Sequence, residues 1–151
     1  MSFVGAGRRL AQGGVGEAAR WLGVESVVLL SFMEVEAAGR GFDGNNRPKM
    51  LREANIFHRE LGPDAQRDRA IREGLATPKW ARNCKSDCSP DLARMRAINE
   101  TPALRSCSRG VGQIMCYIAG AAGHPTALAM AQAAMHGEKE QLWSMVPLMK
   151  G

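Results

Sequence analysis

Apolar residues recur along the chain in blocks that fit helices, separated by breaks rich in glycine and proline. In Gly14–Leu22, Val15, Ala18, Ala19 and Leu22 fall at helical spacing and Gly23 follows as a C-cap, so a first helix is expected to end there. The next block, Glu25–Ala38 (ESVVLLSFMEVEAA), is apolar on nearly all sides. That is the mark of a helix surrounded by other elements, and it predicts a buried central helix with Gly39 as its stop. Gly39–Pro48 (GRGFDGNNRP) holds three Gly, two Asn, an Asp and a Pro, a composition for loops or short hairpin strands.

Lys49–Leu61 places apolar residues at Met50, Leu51, Ile56, Phe57 and Leu61, a mixed pattern that reads as a strand leading into a helix. Arg67–Pro90 is polar and charged, with Pro78 and Pro90 as breakers, and predicts a surface excursion. A helix is expected over Asp91–Leu104 with Ser89 or Asp91 near its N-cap and Leu92, Met95 and Ile98 inward; Thr101-Pro102 breaks or restarts it. Ser108–Ile118 carries two glycines and then an apolar stretch, which suggests a short helix buried against the central one. The last element starts at His124-Pro125-Thr126 and runs at helical spacing to Trp143, with Gly137 as a kink or interruption. No repeat, linker or low-complexity tract divides residues 1–151, so one mainly α domain is expected.

With 151 residues, 45% of them hydrophobic, the chain can bury roughly two-thirds of its unfolded surface, which argues against disorder. A net charge of +5 and a pI near 9.4 favour an anionic partner without choosing among nucleic acid, a membrane surface and the cell wall. Aromatic residues make up only 5% of the chain, with a single Tyr, so stacking platforms for single-stranded nucleic acid are scarce. Arg67, Arg69, Arg72, Arg82, Arg94 and Arg96 form a basic excess that either draws the protein to anionic wall polymers or lipid or is a solvated face. The apolar run Val27–Met33 is about a third of a bilayer span, and Gly and Arg interrupt the N-terminal residues. Synthesis in the cytoplasm without a signal peptide is the expectation.

Cys84, Cys88, Cys107 and Cys116 are too few for a disulfide scaffold, and their spacing fits no common zinc pattern. Free thiols, or one or two disulfides, remain open. No metal or cofactor is expected.

Glu36 is the first candidate for chemistry. A carboxyl in an apolar helix is costly unless functional, paired or protonated, and burial together with the negative helix end favours the protonated acid, which can donate to a leaving oxygen. Glu34 lies about 200° around the helix from it, so the two cannot converge on one atom. A second acid would come from Asp43 or Glu53, which also read as a turn former and an ion-pair partner. His58, His124 and His136 form no hydrolase triad, and Ser108–Gln113 lacks the lysine of a phosphate loop.

Ordered blocks carry a resemblance: Phe3-Val-Gly-Ala-Gly-Arg-Arg-Leu10, Ala18-Ala19-x-x-Leu22-Gly-Val24, Glu34-Val-Glu36, Gly39-x-Gly-Phe42, Arg47-Pro-Lys49, Ile56-Phe-His58, Ser106-x-Ser108-x-Gly110-x-Gly112-Gln113-Ile-Met115 and Ala121-Ala-Gly123. Together they resemble the N-acetylmuramidase domain of phage endolysins, and more widely the lysozyme-like α+β fold of goose-type lysozymes and lytic transglycosylases. The resemblance implies that peptidoglycan glycan strands are the substrate, cleaved between N-acetylmuramic acid and N-acetylglucosamine. Glu36 would be the general acid, with Ser108, Gln113, Met115 and Tyr117 lining the sugar site. It also implies a single muramidase domain without a separate wall-binding domain, acting on the wall, with no specific nucleic acid and as a monomer. The chain departs from the family pattern at Arg109, usually Trp, and at Cys116-Tyr117-Ile118, usually Gly-Phe-Asn. Two alternatives stand beside hydrolysis: lytic transglycosylase chemistry at the same bond, and a catalytically weakened wall-binding relative. A basic helical nucleic-acid binder is a third reading that rests on charge alone.

Overall fold

The computed structural model describes residues 2–81, 84 and 87–150. An extended N-terminal segment leads into α1 (Gly14–Leu22) and α2 (Ser26–Ala37). Strand β1 (Met50–Arg52) then precedes α3 (Ala54–Leu61), α4 (Ala65–Arg72), α5 (Ser89–Ile98) and α6 (Glu100–Arg105). Strands β2 (Cys107–Arg109) and β3 (Ile114–Met115), a 3-10 turn at Cys116–Ile118, α7 (Ala127–His136) and α8 (Glu138–Met149) complete it. The fold is mainly helical with a small antiparallel sheet in the order β1-β2-β3, in register Met50 to Arg109 on one side and Arg109 to Ile114 on the other.

Two groups of buried side chains hold the chain together. The larger includes Phe57, Leu75, Leu92, Met95, Leu104, Cys107 and Met130; the smaller joins Leu29 and Met33 to Val111, Leu142, Met145 and Val146. Ile114 packs against both, so the sheet lies at their seam.

The α2 helix departs from its sequence expectation. Only the stripe Leu29, Met33 and Ala37 is buried, while Val27, Val28, Leu30 and Val35 are exposed, Val35 at 83%. The predicted all-round burial of a central helix is therefore corrected. An apolar sequence permits burial on every side, but the elements that pack on α2 cover one side only.

Ser108–Ile118 also differs from the expected helix. Gly110 (φ 75°) and Gln113 (φ 46°) adopt left-handed backbone that no α-helix continues, and the chain reverses there to pair β2 with β3. Close approach to α8 enforces the turn, because a Cβ on Gly110 would meet Gln141 Cγ at 2.7 Å. Arg67–Pro90 is not wholly a surface excursion: it contains most of α4 and buries Ala70, Leu75 and Ala76. The helix expected over Asp91–Leu104 divides two residues before Thr101-Pro102, at the extended Asn99. Elsewhere α1, β1 followed by α3, and the interruption at Gly137 agree with the pattern, and an isolated bridge between Phe42 and Pro48 closes the turn-rich loop.

The start of α8 ties distant segments together. Glu138 is 3% exposed, and its two carboxyl oxygens accept hydrogen bonds from Gly41 N (2.9 Å) and Leu10 N (2.9 Å). One turn later Gln141 accepts from Val111 N (3.1 Å) and donates to Ala134 O (2.9 Å). Replacing Glu138 by Ala strands two backbone N–H groups, at a cost of about 2–4 kcal/mol. Urea melts of Glu138→Ala should show that loss, with Glu138→Gln in between because it keeps one acceptor; an unchanged midpoint would contradict this role.

Candidate active site

The C-terminus of α2 opens onto a cleft of about 880 Å³ bordered by Phe3, Met50 and Leu92 of the larger core. Its lining draws Glu36 and Ala37 from α2, Asp43 and Arg47–Lys49 from the loop, and Met50 from β1. Leu92 and Arg96 of α5, Arg109 and Gln113 of the β2–β3 hairpin and the segment Ser2–Val4 also line it. Glu36 is exposed at this cleft, so the greasy enclosure expected for it is not found. Of the Ser108–Met115 block, Arg109 and Gln113 line the same space, while Ser108 and Met115 do not.

The backbone just after Glu36 is fixed by a two-bond cap. Ala38 N donates to Glu34 O (2.9 Å) and Gly39 N to Met33 O (3.1 Å), with Ala38 (φ 51°) and Gly39 (φ 70°) both left-handed. Lys49 Nζ donates to Ala37 O, placing a cation on the negative end of the helix next to Glu36. The chain is thereby turned sharply into the loop that carries Asp43.

Asp43 shares the cleft but is heavily engaged. Its Oδ1 accepts from Asn45 N (2.8 Å) and Arg47 N (3.0 Å), and its Oδ2 from Arg47 Nε (2.9 Å). Partial burial pulls its pKa up, but the backbone hydrogen bonds from Arg47 and Asn45 and the Arg47 guanidinium prevail, leaving it below the usual carboxylate value. Arg47 also meets Asp87 (3.1 Å), which joins the loop to the approach of α5. Glu53, the other candidate second acid, occupies the N-cap position of α3 without a side-chain capping bond and does not line the cleft. Glu34 is exposed on another face of α2, as its spacing implied.

The hairpin residues divide. Ser108 Oγ donates to Gln113 Oε1 (2.9 Å), and Gln113 Nε2 donates to Gly110 O (2.9 Å) and Lys49 O (3.2 Å). The Gln113 amide therefore holds the turn and clasps it to the strand entering β1. Met115 and Tyr117 lie outside the cleft lining, and the Arg59 guanidinium stacks 4.7 Å from the Tyr117 ring centroid. Sequence reasoning passed over Glu138 and Gln141, which lie in the polar run Glu138–Gln141 that opens the terminal helix and give no local signal of burial.

Much of the predicted basic surface is paired: Arg69 with Glu73 (2.7 Å), Arg94 with Asp91 (3.7 Å) and Arg96 with Glu100. Arg82 lies outside the described residues. Cys84 and Cys88 form a disulfide, their Cα atoms 5.6 Å apart, while Cys107 and Cys116 are free and buried. Burial pushes the Cys107 thiol up to about 12 and raises that of Cys116, with the Arg109 guanidinium pulling both the other way. Among the described residues no cluster of His, Cys, Asp or Glu is suited to a metal, and no helix is long and apolar enough to cross a membrane.

A lysozyme-like helical fold with a carboxyl at a helix end above a glycine-rich hairpin is thus in place. The family model for N-acetylmuramidase matches residues 25–151, and the chain belongs to that family. Among solved structures it is similar to the crystal structure of the Burkholderia AP3 phage endolysin, with a TM-score of 0.82 and 30% identity over 93% of this chain. The chain spans 55% of that endolysin's length. No curated protein matches it.

Two measurements check this geometry. Because the folded-state pKa of Asp43 is depressed, its ion pair contributes stability above about pH 4 that is lost as the pH falls through the folded value. Asp43→Asn should therefore be less stable by about 0.5–1 kcal/mol at pH 7, with the gap closing in denaturant titrations as the pH falls through the depressed folded value. Native-state alkylation at pH 8, read by mass, should leave Cys107 and Cys116 unmodified and label both after unfolding; labelling of either in the folded protein would contradict their burial.

Proposed function

We propose that this chain degrades peptidoglycan as part of a phage-type endolysin, cleaving the β-1,4 bond between N-acetylmuramic acid and N-acetylglucosamine. The observation that carries the reading is the shared cleft: Glu36 at the end of α2 and Gln113 of the hairpin line one groove in a chain of the N-acetylmuramidase family. Glu36 acts as the general acid, protonating the glycosidic oxygen as positive charge develops on the muramic sugar. Its exposure at the groove leaves the carboxyl within reach of a glycan laid across it.

Asp43 is the better second carboxylate of the two candidates, since it lines the groove and Glu53 does not. Its depressed pKa keeps it ionised at neutral pH, suited to stabilising the developing sugar cation. Its Oδ2 accepts only from Arg47 Nε among the described residues, which leaves a lone pair to orient water. A second reading draws on the same observation. With Asp43 so heavily engaged, the muramic 6-hydroxyl can attack C1 while Glu36, ionised after donating its proton, takes the hydroxyl proton, giving an anhydro product without a second carboxylate.

Turbidity loss of purified cell walls tests the assignment. Glu36→Gln should lower the rate by at least about a hundredfold with an unchanged circular dichroism spectrum. Equal clearing by both proteins removes Glu36 from the chemistry, and no clearing by a folded wild type favours wall binding without cleavage. Mass spectrometry of the released fragments separates the outcomes, a reducing end marking hydrolysis and an anhydro end transglycosylation.

A further inference from the structure

Arg109 lies in the wall of the same cleft and has an unusual environment. It occupies the middle strand, 4% exposed, with Cys107 and Cys116 close by and the Phe3 ring centroid 4.4 Å from its guanidinium carbon. Its Nε and Nη2 are buried and have no hydrogen-bond partner among the described residues. These two groups form one edge of the guanidinium, the edge that presents two parallel N–H donors to a carboxylate. Leaving both unpaired in a buried position is expensive, and structures that keep such a group usually supply the acceptor from elsewhere.

The other cations of the cleft are spent. Arg47 pairs with Asp43 and Asp87, Lys49 is bound to the Ala37 carbonyl, and Arg96 pairs with Glu100. Phe3 covers both Arg109 and Arg96, its ring centroid 5.1 Å from the latter. The covering segment Ser2–Val4 lines the cleft and is anchored just beyond, where Gly5 N donates to Asn46 O (2.8 Å) and Ala6 N to Met135 O (3.3 Å). Phe3 is 9% exposed and belongs to the larger core, so residues 2–4 would have to be displaced for a ligand to reach the edge from the groove.

The geometry points to Arg109 as a carboxylate-recognition residue of the glycan groove. This assignment rests on the glycan-cleaving reading and specifies which strands the groove prefers. Peptidoglycan offers the chemistry from two sources: the lactyl carboxylate of muramic acid in strands stripped of peptide, and the carboxylates of the stem peptide in intact strands. Both present a planar, two-oxygen anion that Arg binds in bidentate fashion and Lys does not.

Four substrates test it: peptide-free strands and peptide-bearing strands, each with free carboxylates or with the carboxylates amidated by carbodiimide and methylamine. Wild type is expected to show a KM about tenfold lower for free carboxylates in one strand type, at similar kcat; the type that shows it identifies the source. Arg109→Lys keeps the charge against Phe3 and should erase the preference, giving equal KM for free and amidated strands with an unchanged circular dichroism spectrum. Phe3→Ala, which removes the cover, should retain or strengthen it. Indifference of the wild type to amidation, or a preference that survives Arg109→Lys, overturns the assignment. Should wild type cleave none of the strands, the muramidase reading fails on its own. The carboxylate site is then judged by equilibrium binding of the same strands, where an equal Kd for free and amidated forms rejects it.

Discussion

The carboxyl of Glu138, buried at the first turn of α8, is the constraint on which the arrangement of the cleft depends. It takes backbone N–H groups from Leu10 and Gly41, one from the N-terminal segment and one from the loop that follows Glu36. Neither segment is a helix or strand at that point, so neither can satisfy its own backbone, and an acceptor supplied from α8 meets that need. Gln141 does the same for the β2–β3 turn through Val111. Two polar side chains one turn apart thereby hold three irregular segments against one helix. The absence of side chains at Gly41 and Gly110 makes this possible, since a Cβ on either would run into Gln141.

Around the groove, charges are mostly satisfied by one another. Asp43, Arg47 and Asp87 form a chain of ion pairs along one wall, and Lys49 neutralises the end of α2. Ser108 and Gln113 lock the hairpin. Such mutual satisfaction fixes the walls and leaves few groups free to act. Glu36 faces the open groove, and Arg109 keeps a buried donor edge without a hydrogen-bond partner among the described residues. A rigid wall with a small number of uncommitted polar groups is the arrangement that lets binding energy act on the reacting bond rather than on reorganising the protein.

Local patterns located most helices. The runs around Val15–Leu22, Leu92–Ile98 and Ala127–His136 each carry an apolar stripe of helical period, and the stops at Gly23 and Gly137 follow from residues that end helices wherever they occur. The Ser108–Ile118 hairpin was not legible this way. Its strands are two and three residues long, too short for an alternation to register, and its turn depends on α8 pressing against Gly110 and Gly112. Asp43 was legible as a turn former, and it is one, but its partner Arg47 and their joint link to Asp87 needed the fold.

The sequence by itself determined the helical class, the family blocks and the position of Glu36 at the end of an apolar helix, because these depend on residues within a few turns of one another. Tertiary structure alone decided how much of α2 is covered, which second carboxylate shares the cleft, and that Met115 and Tyr117 lie outside its lining. It also decided that Glu138 and Gln141 hold the surrounding segments. The physical reason is common to all of these: burial and hydrogen-bond satisfaction are set by partners as many as 128 residues away along the chain. Periodicity records which face of an element is apolar, but it carries no record of what comes to cover it.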